Sequence, residues 1–269
     1  MSVEMSSEQH AVLARRVLLK EKFIAERGYW NSFWDDLLAA DADYFEGYLN
    51  FSSAPWRNGV LPPKVKEFIY IAIDTSATHM YKPGLRIHVQ NAIRHGATRE
   101  EMMEVFELSA EIGIHSCTAG MPMLLEEARL AGIETPALAA AAPGEDLLRQ
   151  KFTERIGYWN EGWAGLLRLA PEFFEAYLEL ASVPRRSQRL EPKTKELVLL
   201  ALSAATTNLY ETGMRIHMRN ALRLGSTVAE IAEVLQLISV LGVHACTMGM
   251  PVMDEELDRA AGKLVEKKR

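Results

Sequence analysis

Cysteine is scarce in this chain of 269 residues: only Cys117 and Cys246 occur, and no C-x-x-C is present. That rules against a secreted disulfide framework and a cysteine-rich zinc site. Basic charge is not in excess either. Thirty Lys and Arg stand against 36 Asp and Glu, a net charge of -6, so neither nucleic acid nor an anionic membrane is an expected partner. Met1 to His10 is polar rather than basic-then-apolar, and no apolar run suggests a membrane span. A reducing cytoplasm is the expected setting. Strand-like alternation is missing too, whereas apolar residues recur at helical spacing between cap signals.

What is present is a duplication. Shifted by 129 positions, the halves register without a gap from Gly28 to Pro122. Tyr29-Trp30-Asn31 falls on Tyr158-Trp159-Asn160, Lys66-Glu67 on Lys195-Glu196, and Arg86-Ile87-His88 on Arg215-Ile216-His217. His115 and Cys117 likewise fall on His244 and Cys246. Positions held in both copies mark what a shared structure or a shared chemistry requires.

The pattern predicts an all-α fold of two tandem repeats packed about a pseudo-twofold axis. Residues 1–134 form one repeat, 135–145 an alanine-rich linker, and 146–269 the other. Helices are expected over Glu8 to Glu26, through Tyr44 to Leu49, and over Lys64 to Thr78. A further helix starts near Pro83 and stops at Gly96, a left-handed cap. Thr98 to Glu101 is a capping box, repeated at Thr227 to Glu230. The helix it opens is expected to reach Gly113, with a shorter one after a break at Met121-Pro122.

Four of the seven histidines form repeat pairs: His88 with His217, and His115 with His244. Imidazole titrates near neutrality and suits proton transfer, although a paired histidine also serves as a satisfied core residue. Glu67 and Glu196 open the most apolar helix of each half. Each is either a carboxylate with a raised pKa or a charge favourably placed at a helix N-terminus. Tyr81, Gly84 and His88 share a helix face, as do Tyr210, Gly213 and His217. A glycine kept in mid-helix costs up to about 1 kcal/mol against alanine, so it makes room for a ligand or for a close helix crossing. Arg86 and Arg215 point away from the histidines two residues on. They suit a carboxylate clamp, an adjoining subunit or a structural ion pair. The two thiols read as buried and inert, and His-x-Cys alone makes no metal site.

Lys195-Glu196 with the apolar run after it, Arg215 to Leu222, Gly225 and Glu230 to Leu235 together resemble the carboxymuconolactone decarboxylase family, which includes the alkylhydroperoxidase AhpD. The first copy resembles it more loosely, through Lys66-Glu67, His88 to Gly96 and Glu101 to Phe106. The resemblance implies an all-helical ring assembly, with a tandem member forming a trimer. Its peroxidase branch places two cysteines where Tyr81 and Gly84, and Tyr210 and Gly213, stand here, so thiol peroxidase chemistry is not expected. The decarboxylase branch lacks those cysteines and uses no cofactor.

The expected function is a cofactor-independent lyase acting on a small oxygenated acid or lactone. His217 and His88 would be proton donors, Tyr210 and Tyr81 oxyanion donors, and Glu196 and Glu67 tautomer-setting groups or bases. His244, His115, Arg215, Arg86, Gly213 and Gly84 would contact substrate. An isomerase using the same enolate and a non-catalytic ligand-binding or assembly protein are the alternatives.

Overall fold

A computed structural model describes residues 6–135 and 144–263. Most of the expected linker lies outside the described residues. Among those described there is no strand, and each copy contributes seven α-helices. The first has α1 (Ser7–Arg27), α2 (Ser32–Ala40), α3 (Ala42–Arg57), α4 (Pro63–Thr75), α5 (Lys82–Arg94), α6 (Arg99–Ala110) and α7 (His115–Leu130). The second repeats them as α8 (Glu145–Ile156), α9 (Gly162–Leu169), α10 (Pro171–Arg186), α11 (Pro192–Ala204), α12 (Glu211–Arg223), α13 (Val228–Ser239) and α14 (His244–Ala260). The capping box before α6 forms as its spacing predicts, with the Thr98 hydroxyl accepting from the Glu101 N–H and the Glu101 carboxylate accepting from the Thr98 N–H.

Three helix boundaries differ from the sequence reading, the first being α4, which stops at Thr75 rather than Thr78. The break before α7 is a 3-10 turn at Glu111–Ile114, and Pro122 sits inside α7 rather than ending a helix. Pro55 likewise lies inside α3. A proline removes one backbone bond, and tertiary packing here outweighs that loss. The stretch Val228–Ala260 is long and apolar enough to cross a membrane by composition. It is interrupted by a 3-10 turn at Val240–Val243; Val234, Leu237 and Val240 are buried, while Met248, Val252 and Leu257 of α14 are exposed.

The compact units do not follow the repeats. One comprises Met1–Leu61 with Leu235–Arg269, the other Pro62–Val234. The reason is an exchange of C-terminal helices. In the first unit, Val243 ahead of α14 joins a core of Phe23, Trp34, Phe45 and Leu49 from α1–α3. In the second, Ile114 ahead of α7 joins the equivalent core of Phe152, Trp163, Phe174 and Leu178 from α8–α10.

Within the second unit the two copies are related by a local twofold axis. The Thr207 hydroxyl donates to its own repeat partner, Thr78, at 3.0 Å, so the axis passes between them. Two reciprocal buried ion pairs flank it: Lys66 with Glu233 and Lys195 with Glu104, each at 2.7 Å. The repeated lysine before each site glutamate is therefore a tie between copies. Lys195 also donates to the Pro184 and Ser187 carbonyls.

Candidate active site

Helices α4 and α5, and their equivalents α11 and α12, bring the repeated acid and histidine together. The His217 Nδ1–H donates to Glu196 Oε2 at 2.8 Å, and the His88 Nδ1–H donates to Glu67 Oε2 at 2.7 Å. A carboxylate only accepts, so the proton sits on Nδ1 and Nε2 is left for other work. Asn91 and Asn220, also repeat partners, donate to the same carboxylates. All four members of the two dyads are buried.

His217 lines a partly enclosed cavity of about 30 Å³, room for a water or two. Its walls mix the copies. Glu111, His115 and Thr118 come from the first, while Tyr158, Tyr177, Arg185, Ser203, Tyr210 and Gly213 come from the second. Asn208 donates to His115 Nδ1 at 3.1 Å, which leaves the His115 proton on Nε2. Burial, aided by the nearby His217, lowers the His115 pKa to about 4. His115 is therefore a neutral N–H donor at physiological pH. Burial raises the pKa of the Tyr158 and Tyr177 phenols, so both keep their protons. Tyr210 is aimed at Thr118, to which its hydroxyl donates at 3.0 Å. To serve an oxyanion it must trade that bond.

Several site expectations are revised by this geometry. Arg215 is exposed and paired with Glu211 on its own helix, and Arg86 is exposed. Neither lines the cavity, because a spacing of two residues turns each to the opposite side from its histidine. The guanidinium in the wall is instead Arg185, whose Nη1 and Nη2 donate to Glu111 Oε1 and Oε2 at 3.0 Å each. His244 opens α14 and is not among the residues that line the His217 cavity.

Nor do the glycines leave open space over the imidazoles. A Cβ on Gly213 would lie 2.6 Å from Ser203 Oγ and 2.6 Å from Tyr210 Cδ1. On Gly84 it would collide with Asp74 Oδ2 and lie 2.7 Å from Tyr81 Cδ1. Close helix approach is what both glycines permit. Ser203 and Asp74 are repeat partners, and here the copies diverge. Asp74 is buried with no hydrogen-bond partner on either oxygen. Burial raises its pKa from 3.8 to about 7, with Glu67 pushing the same way against His88. The His88 ring is also covered by Tyr70, stacked at 4.4 Å, where the second copy has Leu199.

Tyr158, Tyr177, Glu111 and Arg185 were missed as site residues. The tyrosines carried a signal, since both recur in the other copy as Tyr29 and Tyr48. Glu111 and Arg185 did not, because Val240 and Trp56 stand opposite them.

The site is thus that of a doubled all-helical protein built around one Glu–His pair per copy, and His217 of the second copy lies in the wall of a polar cavity. The carboxymuconolactone decarboxylase family profile matches residues 42–122 and again 171–253, so the chain belongs to the carboxymuconolactone decarboxylase family. Its fold is similar to that of a candidate gamma-carboxymuconolactone decarboxylase subunit from Burkholderia xenovorans LB400. The TM-score is 0.85 and the identity 39%, over 91% of this chain and 98% of that one. The search of curated proteins finds no match.

Proposed function

We propose that the protein is a lyase of the carboxymuconolactone decarboxylase type that needs no cofactor and removes carbon dioxide from a small oxygenated acid or lactone. The observation that carries this reading is the buried Glu196–His217 pair on the wall of a cavity whose other walls hold neutral hydrogen-bond donors. When the bond to the carboxylate carbon breaks, its electron pair moves toward the neighbouring carbonyl, and negative charge collects on that oxygen. The His115 Nε2–H and the Tyr158 or Tyr177 hydroxyl are placed to stabilise it, in a site that excludes most water. Protonated His217 then delivers its Nε2 proton to carbon, and Glu196 holds the ring by Nδ1 throughout. His217 regains its proton from solvent as product leaves.

The cavity as it stands is smaller than a lactone, so side chains on its wall must move when substrate enters. The family likeness and the neighbour described as a subunit support assembly, which we place at a trimer of tandem chains. The test of function is carbon dioxide release from gamma-carboxymuconolactone. Wild type should turn it over, and His217→Gln should lose about 10²- to 10⁴-fold, the usual worth of a general acid. Turnover unchanged in His217→Gln would end this reading.

A further inference from the structure

The guanidinium of Arg185 has five N–H donors in a planar fork. Two of them, one on each Nη, are spent end-on upon the Glu111 carboxylate. Its Nε–H is buried and meets no hydrogen-bond acceptor. What gives this donor a use is its place, because Arg185 lies in the wall of the His217 cavity. The side edge of a guanidinium is complementary to a planar acceptor with two oxygens.

We infer that Arg185 is the specificity-determining residue of the cavity, and that its unspent edge anchors a carboxylate of the substrate while Glu111 holds its end. This deepens the proposed function and rests on it, since it takes the same cavity as the substrate site. The substrate class becomes acids that keep a carboxylate in the bound state, rather than neutral lactones or esters. Glu111 has two effects. It fixes the plane of the fork, and its own charge opposes the incoming anion. The direction of its pKa, raised by burial despite Arg185 beside it, fits a site where negative charge is already costly.

The inference also makes the copies unequal. Trp56 and Val240 occupy the repeat positions of Arg185 and Glu111, so the Arg185–Glu111 pair itself is not repeated in the first copy, where Arg27 packs over Trp56 instead. The first keeps its Glu–His pair but has no arginine at the matching place.

Calorimetric titration with paraconate, a five-membered lactone bearing one carboxylate, and with its methyl ester tests this. Wild type should bind the acid at least about tenfold more tightly than the ester, one good charge-assisted bond by the tenfold-per-1.4 kcal/mol rule. Arg185→Lys keeps the charge and loses the fork, and should erase most of that preference. Glu111→Gln keeps the shape, removes the opposing charge and should tighten acid binding. No preference for the acid in wild type, or the same preference in Arg185→Lys, would overturn the inference. Those outcomes leave the role of His217 standing, whereas full turnover in His217→Gln would remove the proposed function and leave the anchor to be judged by binding.

Discussion

His217 holds Glu196 with one ring nitrogen and keeps the other for the cavity, and His88 repeats that bond with Glu67. What separates the two is the company around them. Asp74 is the sharpest case, because a carboxyl titrating near 7 takes up its proton more readily in the folded chain than in the unfolded one. Its stabilising contribution is complete below about pH 4, fades as pH rises, and is gone above 7. Asp74→Ser, which installs the residue of the other copy, should therefore raise stability at pH 8 by as much as about 4 kcal/mol. The same change should do little at pH 4. Urea melts at the two pH values measure this, and an equal effect at both would show that the group carries no proton at neutral pH. The paired histidines and glutamates were legible in the sequence because both copies kept them. Tyr158 and Tyr177 were equally repeated but not singled out, since an aromatic at helical spacing suits a core as well as a cavity. Arg185 and Glu111 gave no signal, because repetition finds what the copies share and passes over what one copy added.

Helices α11 and α12 meet closely enough that Gly213 has no space for a side chain. Alanine is the better helix former by about 1 kcal/mol, yet Gly213→Ala should lower stability by about 1–3 kcal/mol through overpacking. Thermal melting settles the sign, and a gain would mean that Ser203 and Tyr210 yield freely. Helix α11 also carries Lys195, whose pairing with Glu104 of α6 is almost wholly buried. Lys195→Met should cost about 3–5 kcal/mol by stranding that carboxylate. Lys195→Met with Glu104→Leu should cost less than the single change, and a larger cost would break the account of the pair. The helix starts were readable from proline and capping-box positions. The uninterrupted run of α7 through Pro122 was not, because a proline reports a missing bond and is silent about the packing that compensates.

The repeats trade their last helices, so the His217 cavity draws walls from both copies. No alignment of one half on the other reveals that exchange, as each half reads the same whether its final helix folds back or crosses over. A physical consequence follows for the whole chain: residues 146–269 alone lack Glu111, His115 and Thr118 and should show no activity even if folded. Adding residues 1–134 as a separate chain should restore it, and an active second half alone would contradict the shared cavity. Light scattering should give about 91 kDa, three chains of 30.2 kDa, and a monomer mass would remove the trimer.

Carbon dioxide release from gamma-carboxymuconolactone, followed in parallel for wild type, His217→Gln and His88→Gln, bears most directly on the central proposal. The account predicts turnover by wild type, a loss of at least about 100-fold in His217→Gln, and a much smaller loss in His88→Gln. No release by wild type, or a His217→Gln rate within threefold of it, would contradict the account.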